Sequence, residues 1–356
     1  MTDIMTCVSA AGGGYWTNTG RCEMEKKLNL FVTEQGSTIR VEGRRVVVSK
    51  GREQLVDVPL LHLREIVIFG NSTITPQAVS RVLREGIYVV FLSQYGKFNG
   101  ILLPSIHSDG AIRLKQVVKS EDSSFCLRFS KEIINAKLHN SIELLSRKRK
   151  KEVEISSEIS ELQKMQEKIK NATSLKELLG LEGVSSRIYF SSLAKIFNSE
   201  FSFEGRKKHP SPDPLNALLS LSYSLLYSLC YSFIYTLGLD PHIGFFHEMR
   251  RGHAALASDM CEEFRVPICD SLVLRLVNQG YFTSESFTYQ GEGVFLKKEA
   301  LKKFLKEWAG NLDRRVDVDG SFETSYWHLI EFQVQKLRKA VVEDEDYKAF
   351  YAGEEK

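Results

Sequence analysis

Between residues 27 and 104 the apolar side chains recur at every second position or in short unbroken runs. After about Ile112 the repeat lengthens to that of a helix. In the first stretch Leu28–Thr33, Thr38–Val41, Arg45–Val48 and Gln54–Pro59 alternate or are β-branched. Gly36, Gly43 and Gly51 punctuate them, which predicts strands joined by tight turns. Ile66–Phe69 and Tyr88–Leu92 are short apolar runs, as expected of strands buried on both faces. Between them Thr75 is a capping residue and Pro76 a helix opener, predicting a helix that runs to Arg84 and stops before Gly86. In the second stretch the spacing predicts helices over Ser124–Leu145, Val153–Ile169, Leu181–Phe197, Leu215–Leu237, Ala254–Arg265, Asp270–Gln279 and Lys298–Leu312. The expected class is α+β: a β-rich domain over 25–108, an all-α domain over 109–315, and a C-terminal helix with an acidic tail over 316–356.

Residues 1–24 hold Asp3 and the run Gly12-Gly13-Gly14 without an apolar core, so they do not read as a secretory signal. They are expected to be a disordered leader, with Met24 an equally good translation start. One membrane question remains, the 25 uncharged residues from Leu215 to Leu239. Five serines and four tyrosines lie on several faces of that segment, where lipid would satisfy them poorly, so a helix buried in protein is expected. At 356 residues the chain is long enough for two cores. Its net charge of +3 means that any nucleic acid must be met by a local patch. Six cysteines without CxxC spacing argue against a zinc knuckle or a disulfide framework and fit a reducing cytoplasm.

Candidate chemistry sits in two places. Around Glu182, helical phase at about 100° per residue puts Ser185, Ser186 and Tyr189 on the carboxylate's face. Small hydroxyls there leave room for a ligand, although a glutamate near a helix start is also favoured by the helix dipole alone. In Asp240–Arg265, a turn at Asp240-Pro241 and a breaker at Gly244 display His247 near a loop-to-helix junction, with His242 and His253 as competitors. On the following helix Leu256, Met260 and Phe264 form the apolar stripe, Asp259 and Glu262 share an adjoining face, and Glu263 lies nearer the stripe. Periodicity does not choose between the two glutamates, and Arg251 and Arg265 offer ordinary ion pairs to every acid in the segment. Two carboxylates and an imidazole brought together would form a three-ligand site for a divalent cation, with positions open to water and substrate. The basic run Arg147, Lys148, Arg149, Lys150 and Lys151 reads either as a phosphate-contacting patch or as a solvated helix end. Tyr223, Tyr227, Tyr231 and Tyr235 read as a packing stripe, with Tyr223 best placed to reach a substrate.

These segments resemble, in order, four motifs of the CRISPR-associated spacer-acquisition integrases, the larger subunit of the adaptation complex. Leu181–Phe190 is similar to that family's glutamate motif (E-G, small residues, R-x-Y-F), and Pro212–Asn216 to its D-P-x-N helix start. Gly244-Phe245-Phe246-His247 resembles its G-F-x-H, and Ala257–Arg265 its A-x-D-x-x-E-E-F-R. The likeness runs from about Glu25 to Arg315; Met249 and His253 stand where the family often differs, and the tail is less well matched.

The resemblance implies a β-sandwich N-terminal domain that dimerises, an α-helical catalytic domain, and assembly with a small ferredoxin-like subunit. It implies a metal site of Glu182, His247 and Glu262, with Asp259 in support, which resolves the choice between the glutamates. The implied reaction is attack of a donor 3′-hydroxyl on a phosphodiester of double-stranded DNA at the edge of a repeat. One imidazole among oxygen ligands favours Mn²⁺, with Mg²⁺ as the alternative. Arg187, Lys207, Lys208 and the 147–151 cluster become candidate phosphate clamps, and Tyr189 a candidate to orient the leaving oxygen. A DNA-binding scaffold without chemistry, and a free-standing metal-dependent nuclease, are the rival readings. The nucleophile is not encoded in a ligand set, so sequence does not separate nuclease from integrase.

Overall fold

The computed structural model describes residues 11–13, 25–105, 110–148, 153–197, 200–207, 210–318 and 320–353. The chain divides into two compact units, one of residues 1–106 with 297–314, the other of residues 107–296 with 315–356.

The first unit is built on two sheets. One has the strand order β1 (Ala11–Gly13), β2 (Glu25–Val32), β6 (Leu63–Phe69), β8 (Tyr88–Leu92), β9 (Phe98–Leu102). The other runs β5 (Glu53–Pro59), β4 (Arg45–Lys50), β3 (Thr38–Glu42), β7 (Thr73–Ile74). Leu30, Val32, Ile66, Ile68 and Val89 of the first sheet and Ile39, Val46, Val48, Val56 and Val58 of the second bury into one shared cluster, the arrangement of a β-sandwich. All seven residues of β6 are buried, consistent with its unbroken apolar run and its parallel neighbours β2 and β8. Helix α1 (Pro76–Arg84) starts where expected: Thr75 accepts from the Ala78 N–H at 3.2 Å, and Gly86 ends the turn at φ 76°.

Three readings of the sequence change here. Ala11–Gly13, assigned to a disordered leader, pairs antiparallel with β2, Ala11 opposite Lys27; glycines carry no alternation by which a strand could be recognised. The rest of residues 1–24 lies outside the described residues. The stretch 109–315 is not one domain, because α9 (Lys298–Leu312) falls in the β-rich unit. Polar ties across the sequence hold it there: Arg64 to Asp313 at 3.0 Å, and Lys298 to Glu34. The short hairpins β10–β11 (Phe287–Gln290, Gly293–Leu296) and β12–β13 (Arg315–Val318, Phe322–Ser325) were not foreseen, since four-residue strands give little periodicity.

The second unit is helical: α2 (Gly110–Glu121), α3 (Ser123–Lys148), α4 (Ser156–Asn171), α5 (Leu175–Ile196), α6 (Pro214–Thr236), α7 (Ala255–Phe264), α8 (Ser271–Asn278) and α10 (Tyr326–Glu343). Helix α3 packs against α4, α5 and α7, and α6 against α7 and α10. Helix α6 is long and apolar enough to cross a membrane, yet 72% of its most hydropathic window is buried within the protein. Its serines Ser222, Ser228 and Ser232 bond back to Leu218, Leu225 and Ser228 carbonyls at 3.0, 2.8 and 2.7 Å, so they are satisfied inside a core helix. Residues 316–356 are more than a helix and an acidic tail: Tyr347, Ala349 and Phe350 are buried after α10 ends.

Candidate metal and DNA site

Helix α5 begins at Leu175, two turns before the expected start, because Ser174 caps it by accepting from the Glu177 N–H. Glu182 therefore lies well inside the helix, where attraction to a helix N-terminus no longer accounts for it. Its Oε1 accepts from Ser186 Oγ at 2.8 Å and pairs with the Lys137 ammonium.

Glu262 comes from α7 and is almost wholly buried. Its Oε1 is 2.7 Å from Arg265 Nη1, one helical turn on, and its Oε2 is 2.8 Å from Lys137 Nζ. Burial alone would push the Glu262 carboxyl up, but Arg265, then Lys137 and His247, hold it at about 2. Glu182 is likewise lowered: burial and Glu262 raise it, and Lys137 more than offsets them.

His247 reaches the same place from the loop before α7. Asp259, fully buried, accepts from the backbone N–H of Phe245 (2.8 Å), Phe246 (3.1 Å) and His247 (2.9 Å), and its Oδ1 is 2.7 Å from His247 Nδ1. A carboxylate only accepts, so the Nδ1 hydrogen is fixed and Nε2 carries the lone pair that could act as a ligand or acceptor. Nε2 lies 3.8 Å from Glu262 Oε1. Gly244 lets this loop lie on α7, since a Cβ there would sit 2.7 Å from Ala255 Cβ and 2.9 Å from Asp259 Oδ2. Gly244→Ala is expected to cost about 1–3 kcal/mol through that overlap, read as a lower melting temperature.

The structure thus links Glu182, Glu262, His247 and Asp259 in one chain of contacts: Lys137 joins the two glutamates, His247 stands beside Glu262, and Asp259 holds His247. Among the described residues no three His, Cys, Asp or Glu side chains stand close enough together to hold a metal ion as placed. The donor set nevertheless fits a divalent cation. A cation already bridges two carboxylates from different helices, the imidazole is oriented by a carboxylate, and Glu262 Oε2 is buried without a hydrogen bond of good geometry. Glu263 points away: it accepts from Tyr347 Oη and the Phe350 N–H, both at 2.6 Å, and from Gln333 Nε2 at 3.0 Å.

Two tyrosine assignments need correction. The hydroxyls of Tyr189 and Tyr223 both donate to buried Asp270, at 2.8 and 2.5 Å, and so are committed within the protein instead of awaiting a leaving oxygen or a substrate. Burial raises Asp270 to about 6 despite these bonds. The guanidinium groups of Arg206 and Arg265 lie over the Tyr223 ring at 5.1 and 5.4 Å. This makes the tyrosine–Asp270 group a floor beneath the arginine that holds Glu262. Tyr227 accepts from the Ala254 N–H at 3.1 Å and Tyr231 contacts His242, as a packing stripe would.

Of the basic candidates, Arg187 is exposed on α5. Arg147 pairs with Glu143 at 3.1 Å and donates to the Gly353 carbonyl, and Lys207 pairs with Glu204 at 2.8 Å. Lys148 ends α3, and Arg149, Lys150, Lys151 and Lys208 lie outside the described residues. Sequence reasoning missed Lys137. It stands at i+4 from Ile133 on the stripe Phe125, Phe129, Ile133 of α3, and a lysine at a core-facing position was the available signal.

Residues 30–310 match the family model described as CRISPR associated protein Cas1. The chain belongs to the Cas1 family. A CRISPR-associated endonuclease Cas1 of Thermodesulfovibrio yellowstonii is 37% identical over 283 residues, 77% of this chain and 88% of that protein. One from Thermus thermophilus is 33% identical over 287 residues, covering 80% and 83%. Among solved structures, a casposase bound to its integration product superposes with a TM-score of 0.82 at 25% identity, covering 92% of this chain and 94% of that one. Family membership accounts for the β-rich and helical halves.

Proposed function

We propose that this Cas1 protein inserts short double-stranded DNA into a repeat array by transesterification, with Mn²⁺ or Mg²⁺ held by Glu182, His247 and Glu262. The observation that carries the reading is that two carboxylates from separate helices share one ammonium, Lys137, while an Asp259-oriented imidazole stands 3.8 Å from the second of them. The likeness to a casposase bound to an integration product supports strand transfer over simple hydrolysis. In the reaction the donor 3′-oxygen forms a bond to phosphorus, and the repeat strand leaves with its own 3′-hydroxyl. A bound divalent ion would supply Lewis-acid stabilisation of a non-bridging phosphate oxygen. The chain's own residues keep that site organised: Arg265 fixes Glu262, Asp259 fixes the His247 ring, and Ser186 fixes Glu182. Exposed Arg187, with Lys207, Lys208 and the 147–151 run, would clamp phosphates of the DNA backbone.

The β-rich unit is the proposed dimerisation surface, because sheet edges pair readily with a second copy. A small ferredoxin-like adaptation subunit is the proposed further partner. Buried free thiols at Cys126, Cys230, Cys261 and Cys269 suit the cytoplasm.

A strand-transfer assay tests the reading. A repeat-containing plasmid and a donor duplex should give branched product only with a divalent ion and only when the donor carries a 3′-hydroxyl. Equal cleavage with a 3′-deoxy donor would make the protein a nuclease, and binding without product in Mn²⁺ or Mg²⁺ would make it a scaffold.

A further inference from the structure

We propose that Lys137 is a tethered cation that occupies the divalent-ion position, so that metal enters by displacing its ammonium. The inference rests on the metal-site reading above. Lys137 projects from α3, which contributes none of the three proposed ligands, and its ammonium sits between two of them. It pairs with Glu182 Oε1 and lies 2.8 Å from Glu262 Oε2, with its side chain only 12% exposed. An uncompensated ammonium buried to that degree is costly, so the carboxylates hold the lysine as firmly as the lysine holds them.

The charges around the position explain why such a device is useful. Glu182, Glu262 and Asp259 bring three negative charges; Lys137 and Arg265 bring two positive ones. The metal-free cluster is thus close to balance and needs no ion to stay assembled. A divalent ion added without any rearrangement would leave an excess of positive charge in a poorly solvated place. Withdrawal of the ammonium on its flexible four-carbon stem removes that excess, and so does the arrival of a DNA phosphate. Arg265 cannot play this part, because its guanidinium is packed over Tyr223 and held in place. The free protein is therefore weakly metal-binding by construction, and a phosphodiester in the site favours loading.

The test is direct Mn²⁺ binding to the full chain without DNA, by calorimetry and by the electron-spin signal of free Mn²⁺, alongside melting curves with and without the ion. K137M keeps the stem and removes the charge. It should bind Mn²⁺ roughly tenfold or more tightly than the parent, as expected when a unit charge a few ångströms from the ion is deleted. It should also melt lower without metal and gain more stability from Mn²⁺. K137R, which keeps the charge, should bind no more tightly than the parent. K137Q carries the same comparison should K137M fail to fold. Unchanged or weaker Mn²⁺ binding in the folded neutral variant overturns the tethered-cation role. The metal-site reading fails separately: parent-like Mn²⁺ affinity in E182Q, H247A and E262Q would place the ion elsewhere.

Discussion

Glu262→Ala is expected to eliminate strand transfer, a loss of about 10³-fold or more, and to lower the metal-free melting temperature as well. The first effect follows from removing one of three proposed ligands. The second follows from the ion pairs: Glu262 compensates two cations, Lys137 and Arg265, in a buried place. Relief of repulsion from Glu182 is outweighed, since deleting one partner of a buried pair costs about 3–5 kcal/mol. Glu182→Ala should be as inactive yet less destabilised, because its side chain is 24% exposed and Lys137 keeps Glu262. His247→Ala should be inactive with the smallest loss of stability, as Asp259 retains its three backbone donors.

The acid limb of stability adds a check. The folded Glu262 carboxyl sits at about 2, below its ordinary 4.5, so its contribution is complete above 4.5 and lost as pH falls towards 2. Glu262→Gln should flatten that part of the stability profile. Duplex binding without metal should stay within a few-fold in all of these variants. Wild-type melting and wild-type strand transfer in Glu262→Ala would remove this residue from the site.

The fold was legible where local chemistry and tertiary structure agree. Thr75-Pro76 starts α1 and Lys298–Leu312 is α9, both at the expected residues. Where α9 packs was not legible, because the residues that hold it, Arg64 and Glu34, lie about 250 positions earlier. The helix expected from Leu181 begins at Leu175, after the cap at Ser174. That Glu182, His247 and Glu262 come together was legible through motif order, but their neighbours were not. Tyr189 shares the Glu182 helix face, as expected, yet its hydroxyl is claimed by Asp270, 81 residues away and in the π-helical turn Arg265–Asp270. Likewise, periodicity was bound to leave Glu262 and Glu263 undecided. Both are buried, one towards the site and the other towards a C-terminal segment that only the folded chain brings near.

Glu263→Ala should therefore have a large effect of a different kind, on stability and not on chemistry. The Glu263 carboxyl is fully buried, and burial raises it to about 7 even though Tyr347, Phe350 and Gln333 all donate to it. Asn140 completes the clasp, donating to the Glu263 and Phe350 carbonyls at 3.0 and 3.2 Å and accepting from the Ala352 N–H at 2.8 Å. Alanine at 263 takes the acceptor from the Tyr347 hydroxyl and the Phe350 N–H, while Gln333 Nε2 keeps the Tyr347 hydroxyl and the Lys348 carbonyl. At about 1–3 kcal/mol for each buried donor left unmade, a loss of roughly 2–6 kcal/mol is expected. Truncation after Glu343 removes Tyr347 and Phe350 themselves and should lower the melting temperature similarly. Combined, the two changes should cost little more than the worse of them, because they break one set of bonds. Strict additivity would show that the tail and Glu263 act separately. Assayed well below its melting point, Glu263→Ala should still join DNA, while Glu262→Ala, one residue earlier, should not. The reverse result, a folded but inactive Glu263→Ala beside an active Glu262→Ala, would move the ligand assignment by one residue and turn α7 about 100° in its role.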